Sequence, residues 1–117
     1  MKQIGRFRAI RRYVPKDREP LVLKKGDLVR CIREDDEYGG WFFCQKAGRE
    51  GWVPEKIVEL VEDVMGRIKE DYSSQELALE EGDEVVGYGI VSGCLWGRKV
   101  KTGEVGWVAM YVINRIE

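Results

Sequence analysis

Cys31, Cys44 and Cys94 are the side chains best suited to nucleophilic or metal chemistry, and no histidine accompanies them. A thiol attacks near neutral pH when a base or cation draws off its proton, and histidine is the usual partner. Structural zinc needs clustered ligands, whereas these thiols lack CxxC spacing. Each lies among apolar or aromatic neighbours, which predicts reduced, at least partly buried packing residues. The Gly-x-x-x-x-Gly-Lys-Ser/Thr pattern that cradles phosphate is also absent. Carboxylates are plentiful, but they gather in turn-like stretches that enclose no substrate. The chain is therefore expected to be no enzyme and to carry neither metal nor cofactor.

Aromatic side chains offer a different chemistry. A Trp or Tyr presents a broad apolar plate with one polar edge, suited to excluding water from an extended chain laid across it. Trp41 and Trp96, with Tyr13, Tyr72 and Tyr111, are the candidates, and the acidic run Glu34-Asp35-Asp36-Glu37 just before Trp41 is placed to receive a basic ligand side chain. Charge is unevenly spread behind the net value of −1. Residues 1–60 hold 14 Lys/Arg and 10 Asp/Glu, against 6 and 11 in residues 61–117. Lys2, Arg6, Arg8, Arg11 and Arg12 make the first strand basic, which leaves an anionic partner open beside the plainer reading of a solvated strand face.

An internal repeat positions these residues. Leu21-Val22-Leu23-Lys24-Lys25-Gly26-Asp27-Leu28-Val29 returns as Leu77-Ala78-Leu79-Glu80-Glu81-Gly82-Asp83-Glu84-Val85. Gly48-Arg49-Glu50-Gly51-Trp52-Val53 returns as Gly103-Glu104-Val105-Gly106-Trp107-Val108, and Trp41 as Trp96, so three separate landmarks agree on one unit. Within it, Leu21 and Leu23 alternate with Val22 and Lys24. After the Gly-Asp turn, Val29 and Cys31 take one face and Leu28, Arg30 and Ile32 the other. Pro54-Glu55-Lys56 has room for a single 3₁₀ turn, and no stretch reads as a long helix. Gly51 and Gly106 read as close backbone approaches or positive-φ kinks, and Gly87 falls where the first repeat has Cys31, a sign of a bulge or altered register. The expectation is all-β: a first unit over 1–60, a linker over 61–65 and a second, divergent unit over 66–117. So short a linker holds two barrels side by side. An exchanged strand is the alternative to two separately folded units.

These residues resemble the Src-homology-3 (SH3) family. Ala9-Ile10-Arg11-Arg12-Tyr13 is similar to its opening motif, Pro20 through Asp27 to its second, Gly40-Trp41-Phe42-Phe43 to its third and Gly48 through Val58 to its fourth. The resemblance implies small β-barrels whose aromatic grooves take polyproline-II segments at low ordering cost. It places Tyr13, Trp41 and Pro54 in a first cleft, with Glu34, Asp35 and Asp36 on its acidic side. Tyr72, Trp96 and Tyr111 form a second, flanked by Glu70, Asp71 and Glu76. Arg11 and Ile57 stand where the family has tyrosines, and Ala109 where it has the cleft proline. Tyr111 reads as the late tyrosine, with one residue missing before it. Trp52 and Trp107 read as walls of the barrel.

The expected function is a cytoplasmic adaptor or scaffold module that binds an extended protein segment, proline-rich ligands being the family's usual choice. The competing readings are nucleic-acid or acidic-ligand binding through the basic first strand, and self-association through opposite charges. A sequence pI near 5.7 weighs against nucleic acid. No run of about 20 apolar residues suggests a membrane span.

Overall fold

The computed structural model describes residues 2–16, 19–34 and 39–117, the side chains of Arg33 and Glu34 excepted. Among these, the strands run in chain order as β1 (Gly5–Ala9), β2 (Val22–Leu23), β3 (Leu28–Glu34), β4 (Trp41–Lys46), β5 (Arg49–Pro54), β6 (Val58–Glu62), β7 (Met65–Ile68), β8 (Tyr72–Ser73), β9 (Glu84–Val91), β10 (Cys94–Lys99), β11 (Val105–Ala109) and β12 (Ile113–Arg115). Single 3₁₀ turns, Glu55–Ile57 and Met110–Val112, precede β6 and β12. The all-β class stands.

The expected alternation is kept. Leu21, Leu23 and Val29 are buried at 1% exposure, while Val22, Leu28 and Ile32 are exposed. The two Gly-Asp turns share one design. Gly26 and Gly82 take positive φ, and Asp27 and Asp83 accept hydrogen bonds from the backbone N–H of Lys24 and Glu80 at 2.9 and 2.8 Å. Those bonds hold both carboxyls below the usual range, helped by Lys46 and Lys99. Gly51 and Gly106 prove to be close approaches: a Cβ would stand 2.7 Å from Ser74 Oγ in one and 3.0 Å from the Gln75 carbonyl in the other.

The domain boundary is corrected. The chain divides into a contiguous unit, Arg18–Ser74, and a split unit, Met1–Asp17 with Gln75–Glu117. The contiguous unit orders its sheet β5-β4-β3-β7-β6, with a separate ribbon β2-β8; the split unit orders its sheet β11-β10-β9-β1-β12. The two orders coincide when β1 and β7 trade places. In the split unit β1 thus holds the place that β7 holds in the contiguous unit. The supposed linker 61–65 is the end of β6, a tight turn and the start of β7, which pair with each other. The chain leaves the contiguous unit for the split one between Ser74 and Gln75.

Each unit closes on its own core. In the contiguous unit Cys31 and Cys44 face each other across β3 and β4, Sγ to Sγ 3.6 Å, inside the cluster that holds Leu23, Val53 and Ile68. Burial raises the pKa of both thiols. In the split unit the matching rung is Gly87 opposite Gly97, and Phe7 joins Leu79, Val85 and Leu95 in the core.

Candidate ligand-binding surfaces

In the contiguous unit Trp41 pairs with Pro54 and Phe43 with Trp52 across the β4–β5 hairpin, and none of the four belongs to the core cluster. Phe43 and Trp52 meet edge to face at 5.0 Å. The backbone N–H of Glu55 donates to the Gly40 carbonyl at 2.8 Å, tying the 3₁₀ turn to the start of β4. Tyr72, half-buried against the core, donates its hydroxyl to the Trp52 carbonyl at 2.6 Å. Trp41 is only 5% exposed, Ile57 4%, and Pro54 is buried. Little of this aromatic surface is left open.

In the split unit Tyr13 stands where Tyr72 stands in the other, since each lies opposite a repeated leucine, Leu79 or Leu23. Its hydroxyl donates a short hydrogen bond to Glu76. Burial pushes its pKa well above the ordinary tyrosine value, and the Glu76 carboxylate, Tyr111 and Cys94 add to the shift. Met110 packs with Tyr13 against the core. Tyr111 remains 55% exposed, and the Arg11 guanidinium lies over its ring, 5.8 Å from the centroid. Tyr13, Tyr111, Cys94 and Met110 thus gather around one 3₁₀ turn, with Arg11 and Glu76 beside them.

The groupings expected from sequence are divided between the two units. Tyr13 belongs to the split unit, whereas Trp41 and Pro54 belong to the contiguous one; Tyr72 is likewise separated from Trp96 and Tyr111. Glu34 ends β3 opposite Phe42, while Asp35 and Asp36 lie outside the described residues. Ladder register revises two equivalences. Trp96 faces Trp107 at 5.0 Å, edge to face, as Phe43 faces Trp52; the residue matching Trp41 is Cys94, opposite Ala109. Tyr111 matches Lys56, because both 3₁₀ turns are three residues long and no residue is missing. Trp52 and Trp107 meet Phe43 and Trp96 edge to face across their hairpins and belong to neither core cluster.

Sequence reading missed Cys94 and Met110 as neighbours of Tyr13. The available signal was the tight Ser92-Gly93 turn, both residues at positive φ, which shortens the arm before β10. The basic first strand is largely spoken for: Arg6 pairs with Glu84 at 2.5 Å, Arg8 with Glu84 at 3.4 Å and Arg12 with Glu80 at 3.0 Å. Arg6 and then Arg8 hold the Glu84 carboxyl below its usual range.

Residues 6–61 match the family described as variant SH3 domain. The match follows chain order and so joins β1, which folds in the split unit, to β2 through β6 of the contiguous one. Myosin-1 of Mycosarcoma maydis is 30% identical over 59 residues, covering 50% of this chain and 5% of that protein. Enhancer of filamentation 1 of Homo sapiens is 36% identical over 70 residues, covering 59% of this chain and 8% of that protein. The chain spans less than a tenth of either relative. Residues 6–61 are thus similar to a variant SH3 domain, a family of protein-interaction modules. No helix among the described residues is long and apolar enough to cross a membrane.

Proposed function

We propose that this chain, with one variant SH3 domain and a divergent repeat of it, is a non-catalytic module that binds an extended segment of a partner protein. The surface around Tyr13 and Tyr111 of the split unit is its main contact. The observation that carries this reading is the difference in exposure between the two units. Tyr111 is 55% exposed where the other 3₁₀ turn has Lys56, which carries no ring, while Trp41, the aromatic residue expected to anchor the first cleft, is only 5% exposed. An extended ligand laid on Tyr111 would meet the apolar Met110 and Cys94 beside it. Proline suits such a surface because a polyproline-II segment is already extended before it binds. The nucleic-acid reading loses support, since Arg6, Arg8 and Arg12 already have carboxylate partners inside their own unit. The same pairs weaken the case for self-association through opposite charges.

The test is a titration of the full chain with short proline-rich peptides, with and without a flanking basic residue. Tyr111→Ala should weaken binding roughly tenfold or more while the fold persists, as expected for a central aromatic contact. The complex should weaken only modestly as salt rises, whereas a nucleic-acid complex would fall steeply. Unchanged affinity in a folded Tyr111→Ala protein would overturn the assignment.

A further inference from the structure

The two sheets share one strand order but fill one place in it differently. Phe7, at the centre of β1, is 1% exposed and lies opposite Val85. Its ring presses on Gly87, where an added Cβ would stand 2.7 Å from Phe7 Cε1. Gly66, at the centre of β7, holds the corresponding place opposite Val29. A Cβ there would stand 2.5 Å from Val58 Cγ1 and 3.1 Å from Cys31 Sγ. Cys31 in turn holds the place of Gly87. One sheet takes its bulk from the first strand, and the other takes it from the Cys31–Cys44 rung of its own central strands. Two residues further on the pattern inverts, with Ala9 in β1 and Ile68 in β7.

We propose that this reciprocal distribution of bulk is a strand-selection code. The sheet of β9 and β12 accepts a Phe-x-Ala strand over a glycine, the sheet of β3 and β6 accepts a Gly-x-Ile strand over a cysteine, and each rejects the other's. Pairing in chain order would drive the Phe7 ring into Cys31 and Val58, an overpacked site. It would also set Gly66 over Gly87, leaving a void. Charge reinforces the choice. Arg6 and Arg8 share Glu84 in the observed pairing. In chain order they would find Leu28 in its place and set Arg6 beside Arg30. Because Tyr13 follows β1 and Tyr72 follows β7, the code also decides which tyrosine reaches which aromatic surface, whatever those surfaces bind.

Cysteine pairs in the full chain, in a Cys94→Ser background and treated with a short bis-alkylating reagent, report the pairing directly. Arg8→Cys with Glu84→Cys reads the exchanged arrangement; Arg8→Cys with Leu28→Cys reads chain order. The first pair should crosslink roughly tenfold or more in excess of the second, as expected of directly coupled neighbours. Adding Phe7→Gly together with Gly66→Phe should reverse that preference. Equal crosslinking in the native background, or an unchanged preference in a folded Phe7→Gly/Gly66→Phe protein, would overturn the code. Should that protein fail to fold, the decision passes to Phe7→Gly and Gly87→Cys, singly and together. The code requires the pair to resist denaturant better than either single variant, and simple additivity of the two losses would refute it.

Discussion

Replacing Tyr13 by Phe removes one oxygen and leaves the ring where it packs. The lost hydroxyl donates to the Glu76 carboxylate, a bond that exists only because Tyr13 sits among residues 75–117. In chain-order pairing its neighbour would be Pro20, which holds the place of Glu76 in the first repeat. A hydrogen bond to an ionised acceptor contributes about 1.5–3 kcal/mol when buried, and this one is half-buried, so Tyr13→Phe should cost about 1–2 kcal/mol at pH 7. The pH dependence is more telling. Tyr13 is held protonated in the fold above its ordinary value of 10.0, so the stabilisation is complete below that pH. It is lost as pH rises through the elevated value, because the unfolded chain ionises first. The gap between wild type and variant should therefore stay level up to about pH 9 and narrow toward about pH 11. Urea unfolding followed by tryptophan fluorescence, at pH 7 and at the alkaline end, measures both. A gap that holds or widens, or full additivity with Glu76→Gln, would refute the reasoning.

Other outcomes follow from the same geometry. Residues 18–74 expressed alone should unfold cooperatively, since every strand of that sheet lies within them; a wholly disordered spectrum would contradict the division of the chain. Glu84→Gln should flatten the acid limb of the stability profile. The depressed Glu84 carboxyl contributes fully above the ordinary glutamate range and loses that contribution as pH falls through its lowered value, so an unchanged acid midpoint would count against the Arg6 and Arg8 pairing. A thiol reagent should label Cys94 in the native protein and reach Cys31 and Cys44 only on unfolding, because those two are buried; mass spectrometry of the labelled peptides distinguishes the sites.

Much of the fold was legible in sequence because strand alternation and turn chemistry are local. Leu21, Leu23, Val29 and the paired Gly-Asp turns declare their faces within a few residues. Partner choice is not local. The repeat shows which residues are equivalent, but not that Phe7 fits over Gly87 while Gly66 fits over Cys31, a match between residues far apart in the chain. Gly87 was visible as an anomaly without its cause, the Phe7 ring. The aromatic site suffered for the same reason: Tyr13, Trp41 and Pro54 share a motif but not a unit. Trp96 misled because identity of residue type was matched across hairpins whose loops differ in length.

The exchange also fixes an order of events during synthesis. The contiguous unit can close as soon as residue 74 is available, its β6–β7 hairpin forming between sequence neighbours. The split unit must wait, because Phe7 pairs with Arg115 near the far end of the chain. At roughly 5–20 residues per second, β1 spends on the order of five to twenty seconds without its partners. During that time a finished sheet of nearly the same design stands next to it on the chain. Closing so long a loop is also slow in itself, since its entropy is spent before any contact repays it. A strand that matched both sheets equally would be captured by the one that finished first. The late unit depends on its first strand being the wrong shape for the early one.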